Sequence, residues 1–129
     1  MIPNQEEAEL ARLEPAETAE LAHAVIDAIA DKQGEDIVLL DIRPVSLLAD
    51  YFIICSAQSD RQIRAIVDSV LARMNDVDMR PIHTEGVPAS GWVIVDFGPM
   101  VVHIFDPDAR AYYQLERLWE GATLVIRMK

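Results

Sequence analysis

Three histidines, one cysteine and two pairs of neighbouring aspartates are the groups in this chain whose types could support chemistry. His23, His83 and His103 stand at no metal-ligand spacing to one another or to Cys55, so a zinc centre is not indicated. Cys55 lies in the apolar run YFIICSA. A nucleophilic thiol needs a nearby cation or helix N-terminus to lower its pKa, whereas free cysteines in apolar runs are mostly small core residues. Asp41 and Asp50 could meet at adjacent strand ends and hold magnesium, but an aspartate at Asp50 also suits the start of a strand or the cap of a loop. Asp76 and Asp78 form a D-x-D in NDVDMR, a stretch that reads as a helix-to-strand turn, where acids cap and are solvated. With five glycines in all, neither G-x-G-x-x-G nor a Walker A loop can be read, and no G-x-S-x-G turn is present. These residues assign no catalytic group, no metal and no cofactor.

A different constellation carries more. WVIVDF (92–97) and MVVHIF (100–105) are two strands joined by Gly98-Pro99, and glycine at the first turn position suits a type II′ hairpin. Residues whose numbers sum to 197 then pair across the turn. One face carries Val93, Val95, Phe97, Met100, Val102 and Ile104, which is wholly apolar and belongs against a core. The other carries Trp92, Ile94, Asp96, Val101, His103 and Phe105. A face covered by a helix has little use for Asp96 and His103, and a solvent face has little use for the large apolar groups. Aromatic groups rimmed by polar ones are what a protein-docking surface presents. The rival reading has the third helix covering this face, with Tyr112 or Tyr113 bonding the polar groups. A register slip of one residue would exchange the two faces.

The surrounding pattern supplies the elements. Leu21, Val25 and Ile29 predict a helix from Pro15 to Gln33, with Gly34 as its C-terminal cap. DIVLLDI (36–42) reads as a buried strand closed by Pro44, and Tyr51–Ser56 as a central strand, apolar on both faces. Ser59 and Gln62 form a capping box ahead of the stripe Ile63, Ile66, Val67, Val70, Leu71 and Met74. A short strand is expected near Arg80–His83, then a loop from Glu85 to Gly91. Asp106 and Pro107 start a third helix that keeps Tyr112, Leu115 and Trp119 on one face and ends at Gly121. The tail TLVIR reads equally as strand or loose segment. The fold class is α/β, a mixed sheet of about five strands flanked by helices. Its boundaries are an acidic disordered segment at 1–14, one domain at 15–120 and a tail at 121–129.

The sequence has 129 residues, 51% of them hydrophobic and 26% charged, which suits one globular domain. No apolar run approaches the ~18 residues that span a bilayer. The start MIPNQEEAEL lacks the features of a signal or transit peptide, which makes a bacterial-type cytoplasm the expected location. The net charge is -11, and residues 1–35 hold nine acids against Arg12 and Lys32. Such a surface is repelled by phosphate backbones, disfavouring direct nucleic-acid binding, and it steers toward a basic protein. A bare aromatic patch would also favour a weak homodimer.

ADYFIICSA, WVIVDFG, VVHIF and AYYQLERLW, in this order and spacing, resemble the Iojap-like ribosome silencing factors, and the similarity runs from about Leu21 to Trp119. The resemblance implies an α/β fold similar to that of nucleotidyltransferases, without catalysis. It implies docking on a basic protein, the fourteenth of the large ribosomal subunit, at the intersubunit face. Small-subunit joining would be blocked there and translation repressed when nutrients are short. The Trp92 strand lies in the family's docking region. Two departures stand out: Ala57 where the family often has glycine, and Pro99 where it often has an acid. The alternatives that remain are a nucleotidyltransferase-like enzyme, for which the D-x-D at Asp76 and Asp78 is poorly placed, and a ribosome assembly factor.

Overall fold

The computed structural model describes residues 15–129, so the expectation for 1–14 falls outside it. In chain order the elements are α1 (Pro15–Asp31), β1 (Glu35–Asp41), β2 (Tyr51–Ser56), α2 (Asp60–Asn75) and β3 (His83–Glu85). A 3-10 turn (Pro88–Ser90), β4 (Trp92–Asp96), β5 (Met100–Phe105), α3 (Pro107–Tyr113), α4 (Leu115–Leu118) and β6 (Thr123–Met128) follow. The six strands form one mixed sheet in the order β3-β4-β5-β2-β1-β6, and β2–β5 is its parallel pair.

The apolar periodicity places the helices. Val25, Ile29, Ile63, Ile66, Val70 and Met74 are all fully buried on the side of the sheet formed by Ile37, Leu39, Ile53, Val95, Val102 and Ile104. Each such side chain removed from water contributes roughly 2 kcal/mol. The capping box is present with a twist. Gln62 N–H donates to Ser59 Oγ at 3.1 Å, but Gln62 Oε1 accepts from Gln58 N–H at 2.7 Å rather than from Ser59. Its Nε2 meanwhile donates to the carbonyls of Lys32 and Gln33, so one side chain starts α2 and closes α1.

Several expectations are corrected. α1 stops at Asp31, and the left-handed residue after it is Gln33 (φ 62°), not Gly34. Gly34 is needed for space, because a Cβ there would collide with Ile29 Cγ2. The third strand is His83–Glu85 rather than 80–83, because the run before it contains Pro81, which has no N–H for a ladder. The third helix breaks at Gln114 (φ 45°) into α3 and α4, so Tyr112 turns outward and is 81% exposed, while Leu115 turns in. The stretch TLVIR, readable as strand or loose segment, is a strand: β6 pairs with β1 and makes the sheet six strands wide instead of five.

Candidate docking face

The hairpin forms in the expected register. Trp92 pairs with Phe105, Ile94 with His103 and Asp96 with Val101, and Phe97 N–H donates to Met100 O at 2.9 Å across the turn. Gly98 has φ 94°, the left-handed conformation that glycine supplies cheaply. Asp96 Oδ1 accepts Gly98 N–H at 2.7 Å and Asp96 Oδ2 lies 3.5 Å from His83 Nε2, so this acid braces both the turn and the edge strand.

All six residues expected to share a face do so, with unequal exposure. Phe105 and His103 are buried, while Trp92, Ile94, Asp96 and Val101 are half-buried. The reason is partial cover. Val38, Leu40, Phe52, Ile54 and Leu115 form a second apolar cluster under α3 and α4, and Trp119 meets the Phe52 ring edge-on at 5.1 Å. That cover seals β1 and β2 and thins out over β5 and β4. Trp92 stacks on Phe105 at 4.8 Å and meets Tyr113 at 4.6 Å, so a ring cluster closes one end of the face.

The rival reading gave the polar groups a tyrosine partner. Asp96 is instead held at the turn and by His83, and His103 is met by Trp92, whose Nε1–H donates to His103 Nδ1 at 3.3 Å. Nδ1 therefore accepts, which places the ring proton on Nε2, and Nε2 is buried with no hydrogen-bond partner. Burial pushes the His103 pKa down to about 4, so the imidazole is neutral at physiological pH and serves as the acceptor that fixes the Trp92 ring.

The remaining chemical candidates are structural. Cys55 is fully buried, and burial pushes its thiol up to about 12. The Asp41 carboxylate is gripped by Arg43 through two bonds of 2.9 and 2.6 Å, which holds its pKa below the usual value. Asp76 caps the end of α2, and Asp78 sits at φ 58° in the turn beyond it. Among the described residues, no group of three His, Cys, Asp or Glu side chains could hold a metal ion, and no helix is long and apolar enough to cross a membrane.

Two features were missed from sequence. Arg110 is 8% exposed and ties three elements together: Nη1 donates to Asp36 O at 2.6 Å and Ser56 Oγ at 2.9 Å, and Nε donates to Glu116 at 3.2 Å. Its Nη2 lies 3.5 Å from Asp36 Oδ2, an ion-pair distance without hydrogen-bond geometry. This buried guanidinium clamps α3 and α4 to the sheet. No apolar period marks it, and only its place four residues after the Asp106 cap could have hinted at an inward side chain. The second feature is the loop between β1 and β2, where Leu47 and Leu48 are 102% and 87% exposed.

Comparison with known proteins agrees with this architecture. The family described as "Ribosomal silencing factor during starvation" matches residues 15–128, which includes β6. The Ribosomal silencing factor RsfS of Bacillus subtilis is 43% identical over 97 residues, 75% of this chain and 82% of that protein. The mouse "Mitochondrial assembly of ribosomal large subunit protein 1" is 30% identical over 125 residues, covering 91% of this chain and 55% of its own. A crystal structure of a protein from Chromobacterium violaceum superposes with a TM-score of 0.76 at 32% identity, over 86% of this chain and 92% of that one. One from Bacillus halodurans gives 0.74 at 35% identity, over 84% and 98%. With the family matched across the whole described sheet, the chain belongs to the RsfS family of ribosomal silencing factors.

Proposed function

We propose that the protein docks on the large ribosomal subunit through the half-covered face of its sheet and so prevents the small subunit from joining. Translation is thereby repressed when nutrients are short. The supporting observation is the uneven cover of that face. Trp92, Ile94, Asp96 and Val101 stay half-exposed beside a fixed ring cluster, on a chain whose net charge is -11. An aromatic anchor held by its own hydrogen bond loses little freedom on binding, and an acidic surround steers it to a basic protein of the subunit. The role is non-catalytic in this reading. The rival, a nucleotidyltransferase-like enzyme, would need carboxylates convergent on a phosphate site. Asp41 is instead occupied by Arg43, and the Asp76–Asp78 pair lies in a turn beyond α2. An assembly role, as the mouse relative's name states for that protein, would use the same docking step.

Sedimentation with purified subunits tests the proposal. The protein is expected to migrate with large subunits, to be absent from small ones, and to lower the yield of joined ribosomes. Migration with neither subunit, or with the small one alone, would overturn it.

A further inference from the structure

The connection between β1 and β2 is short, tightly bonded and oddly apolar at its tip. Its ends are fixed: Ile42 N–H donates to Asp50 O at 2.9 Å, and the N–H groups of Asp50 and Tyr51 both donate to Pro99 O at 2.7 and 3.0 Å. Inside it, Val45 and Ser46 N–H both donate to Ile42 O, and Leu48 N–H donates to Ser46 Oγ at 3.0 Å. Arg43 is held on Asp41 and lies 5.6 Å from the centre of the Tyr51 ring. The backbone is thus specified, yet two adjacent leucines stand almost wholly in water. A single exposed leucine needs no account, but two neighbours on a fixed loop form a patch.

The buried side chains of the loop pack on the same side of the sheet as Trp92. Ile42 and Ala49, which flank it, are buried in the cluster that contains Phe52, Phe105 and Leu115. Val45 touches the backbone at Gly121, between Trp119 and Ala122, and both of these pack on that cluster. Through Pro99 the loop is joined to the hairpin turn, the end of the face where Asp96 and Val101 pair. Trp92 sits four residues up β4, about 13 Å away along the strand. The Trp92–Tyr113 cluster therefore stands at one end of this face, and the loop that carries Leu47 and Leu48 borders the other. Half-buried Ile94 and Val101 lie between them.

We propose that the 43–50 loop is a second anchor of the docking face, with Leu47 and Leu48 entering an apolar depression bordered by cations on the same basic large-subunit protein. This rests on the docking reading and adds the partner's chemistry at a second point. The charge fits such an occupant: the chain carries a net charge of -11, Asp50 lies within the loop two residues after Leu48, and the loop's one cation, Arg43, is engaged by Asp41. Two anchors at opposite ends fix the orientation of the protein on the subunit, which one aromatic group cannot do.

The test is a double variant, Leu47→Ser with Leu48→Ser, compared with wild type and Trp92→Ala for binding to purified large subunits and for thermal unfolding. Because both leucines lie in water, the double variant should melt as wild type does and bind at least about tenfold more weakly. Wild-type affinity in the double variant, with binding weakened by Trp92→Ala, would overturn the second anchor and leave the docking reading standing. Failure of the wild-type protein itself to bind would overturn both.

Discussion

The two faces of the sheet share six strands but are finished differently. Under α1 and α2 the face is aliphatic apart from Phe97, Tyr51 and Cys55, and the side chains that β1, β2, β4 and β5 contribute to its cluster are buried. Under α3 and α4 it carries Trp92, Phe52, His103, Phe105 and Asp96, and burial declines from β1 toward β4. The first face needs only volume and hydrophobicity. The second needs a specific bond between Trp92 and His103, a buried Arg110 clamp and a left-handed Gln114 to place its cover. A sheet closed for stability reads as repetition; one left part-open reads as a set of individual fittings. The contrast predicts that damage to the first face is paid in folding and damage to the second in binding.

The largest effect should come from the closed face. Phe97 is fully buried, so Phe97→Ala should cost ~3–5 kcal/mol in urea unfolding through the cavity it leaves. A loss under 1 kcal/mol would mean that this face is not the main core.

His103 should produce the next largest effect. Its folded pKa is about 4 against an ordinary 6.5, so below pH 6.5 the unfolded chain takes up a proton that the folded chain refuses. Its contribution is fully present above pH 6.5 and falls away as the pH drops toward 4, by roughly 3 kcal/mol in all. His103→Leu should remove that part of the pH dependence, read as the wild-type-minus-variant difference in unfolding free energy between pH 7.5 and 4.5. Parallel curves for the two proteins would show that the histidine is accessible to protons in the folded state.

How much of this was legible in the sequence follows the same division. The closed face could be read because helix stripes such as Ile63–Met74 and a hairpin with Gly98 at its turn impose regular periods, and the register followed from the turn alone. Which residues share the proposed docking face could be read for the same reason. Its exposure could not, since that depends on where α3 and α4 land, and no local signal marks the break at Gln114. β3 was misplaced because its residues, His83–Glu85, are all exposed and polar, so no apolar alternation marks them. β6 stayed undecided because an edge strand exposed over most of its length shows no alternation of burial. Leu47 and Leu48 were visible as letters between Pro44 and Asp50, but a pair of leucines means nothing until the backbone beneath them is seen to be fixed.

The smallest effect separates the two faces by their salt response. A bare aromatic face on a chain of charge -11 should self-associate weakly, and added salt should tighten that dimer by screening repulsion while loosening attraction to a basic partner. Analytical ultracentrifugation at low and high salt should show the first trend, and Trp92→Ala should weaken it. A mutant that dimerises like wild type while losing the subunit would assign the two associations to separate surfaces.

The most direct measurement is the affinity of wild type and Trp92→Ala for purified large subunits, with unfolding free energies taken on the same samples. Trp92 is half-buried against Phe105 and Tyr113, so the variant should lose about 1 kcal/mol of stability but ~2 kcal/mol or more of binding. Binding lost only in proportion to stability, or not lost at all, would contradict the claim that this face is where the protein meets the ribosome.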